Sequence, residues 1–100
     1  MIYHVVLVRF RPDVSVVERQ AIWDELGALR SIVDGLEMAQ FGQNVSPEGM
    51  SRGFDDGFVM AFQDVAARDA YLIHPAHQAA GARLVAALEG GLDGLLVVDI

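Results

Sequence analysis

The segment Ile2-Tyr3-His4-Val5-Val6-Leu7-Val8-Arg9-Phe10 decides the fold. It is rich in β-branched and aromatic residues, and the Arg11-Pro12-Asp13 that follows favours a turn, so the segment is predicted to be a strand. Its apolar residues fall on both sides, because successive side chains of a strand point to opposite faces. An antiparallel sheet with one face in water alternates apolar with polar residues instead. This strand is therefore predicted to be covered on both faces.

The end of the chain repeats this pattern. Residues 92–100 are predicted to form a last strand that is again apolar on both faces. Helices of the same chain can cover one face, and a second copy packing sheet on sheet, about 10 Å away, would cover the other. Hydrophobic residues make up 53% of the chain, more than a domain of 100 residues readily buries. We therefore predict a homodimer with a large, mainly hydrophobic interface.

Two helical units and two more strands are predicted between these ends. Ser15-Val16-Val17-Glu18 forms a capping box that begins a helix running to about residue 33, and Gly35 is placed for its left-handed C-cap. The remaining predicted elements are strands at about 36–45 and 54–62, a short helix at 64–73, and a helix from Pro75 that fades at Gly90-Gly91. The order β-α-β-β-α-β predicts a single α+β domain over residues 1–100. Its fold is a ferredoxin-like half-barrel with a four-stranded antiparallel sheet, and its second helical unit is broken in two.

Composition excludes several classes of function. The formal net charge is −7 and lysine is absent, so no basic cluster attracts nucleic acid or an anionic membrane. Cysteine is also absent, which excludes disulfides and thiolate chemistry. The first residues lack the features of a signal peptide, and no run approaches the roughly 20 apolar residues of a membrane span. A cytoplasmic protein is therefore expected.

The main candidates for chemistry lie in Tyr71-Leu72-Ile73-His74-Pro75-Ala76-His77. His77 and Gly81 are four residues apart on the helix stripe predicted to face the sheet. Because Gly81 supplies little volume and His4 lies on a facing strand, a cavity is expected between them. The helix N-terminus and burial both disfavour a charged imidazole, so His77 is expected to be neutral near pH 7. His77 would then serve as a general base and Tyr71 as a hydrogen-bond donor to an enolate or alkoxide, with no metal and no cofactor.

The same residues have structural interpretations. His77 would be a core residue bonded to a carbonyl, Tyr71 would anchor the helix break, and His74 would cap the last helix. A zinc site is a further alternative, because His74 and His77 are three residues apart and His4 would add a third nitrogen. The loop at residues 45–52 is predicted to be a solvated connection, with a flap that reaches the partner subunit or the pocket mouth as the alternative.

Several ordered motifs of the chain match those of a known family. They are His4 with Arg9-Phe10-Arg11, Gly42-Gln43-Asn44-Val45-Ser46-Pro47-Glu48-Gly49, Gly53-Phe54 before a strand ending in Phe62, Asp69-Ala70-Tyr71-Leu72-Ile73-His74-Pro75-Ala76-His77, and Val97-Val98-Asp99. In these motifs the chain resembles the stress-responsive A/B barrel family, often called Dabb, over essentially its whole length. The resemblance implies an α+β barrel made of two half-barrels that pair through their sheets.

The resemblance also implies two functions. Some members are linked to stress tolerance, and a plant member is a polyketide cyclase that closes a ring by intramolecular aldol condensation. In that enzyme a tyrosine and a histidine matching Tyr71 and His77 carry catalysis, and a histidine matching His4 borders the pocket. A further pocket histidine of the enzyme is replaced here by Asp56. Haem degradation and cofactor-free monooxygenation are implied by analogy of fold alone.

We therefore expect a small homodimeric barrel protein with a stress-linked role. It would bind a hydrophobic small molecule in a pocket between sheet and helices. The alternative is a cofactor-independent cyclase, lyase or isomerase that uses His77 as its base. Besides the pair Tyr71 and His77, the residues expected to contact the ligand are His4, Asp56, His74 and Gly81.

Overall fold

A computed structural model describes residues 1–100, with a four-stranded antiparallel sheet and helices packed on one face. The strands are β1 (Ile2–Val8), β2 (Leu36–Gln43), β3 (Asp56–Phe62) and β4 (Leu95–Asp99), in the sheet order β2-β3-β1-β4. The helices are α1 (Val16–Gly27), α2 (Val65–Ile73) and α3 (Pro75–Ala86), with 3₁₀ turns at Ala28–Ser31 and Gly91–Gly94. This confirms the predicted element order and the ferredoxin-like fold class. The longest helices have 12 residues, and none could span a bilayer.

Several boundaries differ from the predictions by a few residues; among them, β1 ends at Val8 rather than Phe10, and β2 ends at Gln43 rather than near residue 45. The first helix stops at Gly27 and continues only as a 3₁₀ turn, and α3 ends at Ala86 rather than near Gly90. The third strand begins at Asp56 rather than residue 54, because the side chain of Asp55 bonds back into the preceding loop. The last strand begins at Leu95, since residues 91–94 form a turn.

Helix caps were predicted well, with one exception. The Ser15 side chain accepts a hydrogen bond from the backbone N–H of Glu18, as a capping box requires. The carboxylate of Glu18 does not reach back to Ser15, however. It pairs with Arg83 of α3 at 3.0 Å, since the oppositely charged guanidinium is a stronger partner than a backbone N–H. Gly35 adopts the predicted left-handed conformation, with φ of 84°.

The two faces of the sheet have different surroundings. Towards the helices, His4, Val6 and Val8 are at most 4% exposed and belong to the buried side of β1. On the other face Tyr3 is 45% exposed and Leu7 is 39% exposed. We call that side the open face, and its residues, assigned from the strand pairing, are Tyr3, Val5, Leu7, Met38, Gln40, Val59, Leu96 and Val98. The chain therefore covers only one of the two apolar sides of β1.

Candidate functional site

A cavity of about 360 Å³ lies between the sheet and helices α2 and α3. Its wall is mainly aliphatic and aromatic, and its lining residues are His4, Val6, Leu26, Phe58, Tyr71, Leu72, His77, Gln78, Gly81, Leu84, Val85, Leu95 and Val97. Val97 on the edge strand β4 is 51% exposed and Leu72 on α2 is 40% exposed, so the cavity opens to solvent between these elements. Its size and apolar wall are typical of a small-molecule site.

Tyr71 is buried at the wall of this cavity and has an unused polar group. The residue is 0% exposed, and its ring centroid lies 4.2 Å from that of His77 and 5.8 Å from that of His4. Its hydroxyl has no hydrogen-bond partner in the protein. Burial raises the pKa of Tyr71, so the phenol keeps its proton and remains a donor. A buried donor without a partner is uncommon in native proteins and indicates an interaction still to be made.

His77 is held in a tautomer suited to accept a proton. Its Nδ1 lies 3.2 Å from the carbonyl oxygen of Leu72. Because a carbonyl only accepts, Nδ1 must carry the hydrogen, which leaves a lone pair on Nε2 when the ring is neutral. Burial lowers the pKa of His77, and the nearby His4 and His74 act in the same direction, against the opposing bond to Leu72. The neutral ring is therefore favoured near pH 7.

Gly81 leaves open the space beside the reactive nitrogen of His77. A Cβ built at Gly81 would lie 3.9 Å from His77 Nε2, which is an ordinary van der Waals distance. Gly81 stands one helical turn beyond His77, in the middle of α3. Glycine in a helix interior is destabilising by roughly 0.5–1 kcal/mol relative to alanine, so the bare position has a conformational cost. Its effect is to keep Nε2 accessible from the cavity.

His4 is oriented by two charged residues that the sequence reasoning missed. Its Nδ1 lies 2.6 Å from Asp99 Oδ1, and Arg68 of α2 pairs with the other oxygen of that carboxylate. Burial alone would raise the pKa of Asp99, but the hydrogen bonds from His4 and Arg68 lower it, so this carboxyl group is ionised. An ionised carboxylate only accepts, so Nδ1 of His4 donates. The one sequence signal was an acidic residue closing an apolar strand.

Of the six candidate site residues, four line the same cavity: His4, Tyr71, His77 and Gly81. His74 lies outside it and caps α3, because its Nδ1 accepts a hydrogen bond from the backbone N–H of Ala76 at 3.0 Å. This is the structural role that the sequence offered as the alternative for His74. With His74 turned to the backbone, the three histidines do not form a group that could hold a metal ion.

Asp56 is also outside the cavity, although it lies on the strand face that bears the site. It pairs with Val8 at one end of β1, whereas His4 pairs with Met60. Four residues along a strand separate the two positions by about 13 Å. Asp56 instead lies 3.8 Å from Arg19 Nη1, and burial raises the pKa of its carboxyl group. Asp56, which the resemblance places at a pocket histidine of the plant enzyme, therefore lies away from the cavity at His77.

The sequence from residue 2 to residue 100 matches the model of the Stress responsive A/B Barrel Domain family. The chain belongs to this family. Among solved structures, this Dabb chain is similar to a dimeric ferredoxin-like protein of unknown function from Jannaschia sp. CCS1. The two share 36% identity and a TM-score of 0.91, over 99% of this chain and 96% of that one.

Two plant proteins are also similar to this Dabb chain. The Stress-response A/B barrel domain-containing protein HS1 of Arabidopsis thaliana is 27% identical over 96% of this chain and 84% of its own length. The hydroxynitrile lyase of Passiflora edulis has a TM-score of 0.87 over 99% of this chain and 90% of its own, with 20% identity. At that identity the likeness shows the fold alone.

Proposed function

We propose that this protein binds a hydrophobic small molecule in the cavity beside His77. The observation that carries the proposal is the hydroxyl of Tyr71, which is buried without a partner at the wall of an apolar cavity. Leaving a buried donor unpaired costs about 1–3 kcal/mol, and an oxygen of a ligand would remove that cost. The ligand that fits has an apolar body and a polar head that accepts from Tyr71 close to Nε2 of His77. A ketone has this chemistry.

The proposal includes a homodimer formed through the open face. Apolar side chains of this face, among them Tyr3, Leu7, Leu96 and Val98, are 39–54% exposed in the single chain. Complete burial of an exposed apolar side chain contributes roughly 1.5–3 kcal/mol, and these half-exposed side chains would each gain about half of that from a second copy stacked on this face. The dimeric relative from Jannaschia supports this arrangement. Sedimentation at low micromolar concentration should give particles of two chains, and particles of one chain would contradict the dimer.

The plant relatives bear on the proposal in different degrees. The family and the Arabidopsis protein are named for a stress response, which supports a stress-linked role for ligand binding. The Passiflora enzyme shares only the fold, so its substrate supports nothing here.

Binding can be tested with 2-decanone, a ketone with one polar head and an unbranched apolar body. Titration followed by NMR should shift the signals of His77 and of the aliphatic cavity wall. The variant His74→Asn is a matched control, because asparagine is also a good N-cap and position 74 lies outside the cavity. This variant should bind as the wild type does. If a saturating concentration of 2-decanone left the NMR signals of the cavity residues in the wild type unchanged, the proposed site would be refuted.

Tyr71→Phe should separate stability from binding. Since the hydroxyl has no partner in the protein, its removal should leave the free energy of unfolding unchanged or raise it by up to about 1 kcal/mol. Affinity for 2-decanone should fall about tenfold, because the ligand loses a hydrogen bond of about 1.4 kcal/mol. Chemical denaturation and the NMR titration measure the two quantities. A less stable variant with unchanged affinity would show that the hydroxyl is structural.

Gly81→Ala should likewise make the protein more stable and the site weaker. The added methyl group fits without a clash and improves the helix, so the free energy of unfolding should rise by about 0.5–1 kcal/mol. The same methyl group occupies the space beside Nε2 of His77, and affinity for 2-decanone should fall about tenfold. Equal affinity in both proteins would mean that the ligand head does not approach Nε2.

A second candidate function is cofactor-independent catalysis at a carbonyl compound. The specific observation in its favour is the tautomer of His77, which leaves a lone pair on Nε2, the nitrogen next to Gly81 at the cavity wall. In the proposed step, Nε2 takes a proton from the carbon next to the carbonyl. The electrons of the C–H bond form a C=C bond, and the carbonyl oxygen becomes an enolate that accepts a hydrogen bond from Tyr71. The protonated imidazole later returns a proton to carbon or to the alkoxide of an aldol product.

The first half of this reaction has a direct test. In D₂O, reversible proton abstraction exchanges the α-hydrogens of 2-decanone for deuterium, which mass spectrometry counts. Exchange above the buffer rate would support the catalytic candidate. Binding without exchange would leave the protein as a binding protein, which separates the two functions.

A further inference from the structure

The loop at residues 44–55, between β2 and β3, lies beside one end of the open face. Together they border an open, concave space of about 770 Å³ that is distinct from the cavity at His77. The sheet contributes Tyr3, Leu7 and Leu96 to this space, and the loop contributes Met50 and Phe54. The loop therefore extends the apolar surface of the open face.

Hydrogen bonds within this loop join its two ends and its middle. The backbone N–H of Asn44 donates to the carbonyl oxygen of Asp55 at 2.7 Å, and the hydroxyl of Ser51 donates to the Asp55 carboxylate at 2.6 Å. The side chain of Asn44 donates to the same carboxylate at 3.1 Å. These bonds, that of Ser51 first, lower the pKa of Asp55, so the carboxylate stays charged and keeps accepting.

The base of the loop is fastened to the sheet by an arginine. The guanidinium carbon of Arg9 lies 4.5 Å from the ring centroid of Phe54, a cation–π contact. Nη2 of Arg9 also donates to the carbonyl oxygen of Asp93 at 2.8 Å. The loop is thus held where Asn44 meets Asp55 and where Phe54 meets Arg9.

Despite this order, the loop leaves apolar side chains in water. Met50 is 65% exposed and Val45 is 94% exposed. A solvated connection, which the sequence favours, has no need of a fixed shape or of apolar residues at its tip. A preformed loop bearing apolar residues has the properties of a binding surface, because little conformational entropy remains to be lost on association.

We propose that the loop at residues 44–55 packs against the second copy of this chain, with Met50 as its main apolar contact. The proposal rests on the sheet-on-sheet dimer. It commits to the second copy because the concave space is continuous with the open face, sharing Tyr3, Leu7 and Leu96 with it. The similar protein from Jannaschia is dimeric as well. Each loop would overhang the sheet of its partner and enlarge the interface beyond the two sheets.

The test is the dimer dissociation constant of Met50→Asp, measured by sedimentation. A buried charge at a main contact should weaken the dimer about tenfold or more. The matched control is Val17→Asp, which places the same charge at an 80% exposed valine in the first turn of α1, where a carboxylate is favourable. The control should dimerise as the wild type does. Because Met50 lies outside the core, circular dichroism should show that both variants fold.

Two results would overturn the proposal, and they are distinct. A wild-type dimer that Met50→Asp leaves unchanged would remove the loop from the interface while the sheet-on-sheet dimer stands. A wild type that sediments as single chains would refute the dimer itself and the role of the loop with it.

Discussion

Replacing His77 by glutamine should lower the rate of α-hydrogen exchange in 2-decanone by about 10²–10⁴-fold, the usual contribution of a positioned general base. Glutamine is close to histidine in size and can still bond to the carbonyl oxygen of Leu72, but its amide nitrogen cannot accept a proton. Affinity for the ketone should change much less than the rate, because Tyr71 and the aliphatic wall remain. Mass spectrometry in D₂O and the NMR titration give the rate and the affinity separately.

His74→Asn serves again as the control, and its exchange rate should equal that of the wild type well above pH 6.5, where His77 is neutral with or without the charge of His74. A rate in His77→Gln that matches the wild type would end the proposal that His77 is a base. If the exchange rate of His77→Gln falls by no more than its affinity for 2-decanone does, His77 contributes to binding and not to proton transfer.

The pH dependence of exchange should carry the signature of His77. Burial lowers the pKa of this residue from its ordinary value of 6.5, so the neutral, accepting ring persists below pH 6.5. The rate should therefore hold as pH falls through 6.5 and decline only at lower pH. The folded state also binds this proton less tightly than the unfolded state does. The contribution of His77 to the free energy of unfolding is thus fully present above about pH 6.5, and it is lost as pH falls through the lowered pKa of His77. A midpoint of the exchange rate above pH 6.5 would contradict the assignment of His77 as the base.

Gly57→Ala should destabilise the fold by about 2–3 kcal/mol, near the upper end for overpacking. Gly57 lies in β3 opposite Leu7, and a Cβ there would overlap the carbonyl oxygen of Val6. It would also lie 2.9 Å from Leu7 Cδ2 and 3.2 Å from Leu7 Cα. Since backbone atoms of the central strand β1 cannot move aside, the two strands must separate locally. For a domain of this size the melting temperature should fall by roughly 10–20 °C.

Gly42 provides a closely matched control for this variant. It pairs with Gly57 across β2 and β3, yet a Cβ at Gly42 meets nothing within 4 Å. Gly42→Ala should therefore stay within about 0.5 kcal/mol of the wild type. Unfolding should be measured at one chain concentration, because dimer formation adds to stability. Equal losses in both variants would indicate a general intolerance of alanine in the sheet rather than a clash at Gly57.

The fold was predictable because its signals are local. The apolar pattern of β1, the cap at Ser15, the left-handed Gly35 and the Pro75 helix start are each decided within a few residues. Element ends were less predictable, because they depend on contacts between distant segments. Helix α3, for example, ends at Ala86 beside a distant segment, where the backbone N–H of Arg11 donates to the carbonyl oxygen of Ala87 at 3.0 Å.

The site was predictable where helix periodicity sufficed and unpredictable where strand register decided. His77 and Gly81 are placed on one side of α3 by their spacing. Asp56 required the register of β1 against β3, and Asp99 required that of β1 against β4, neither of which a single sequence contains. The bond from Asp99 to His4 and the ion pair with Arg68 therefore became visible only in three dimensions.

The contact between His4 and Asp99 joins residues 95 positions apart. During synthesis on a ribosome, His4 is therefore made 95 residues before the carboxylate that orients its ring. A nascent chain cannot fix the ring of His4 in this way until residue 99 has emerged. A chain cut short before residue 99 would lack this carboxylate, and the ring of His4 would lose the bond that orients it.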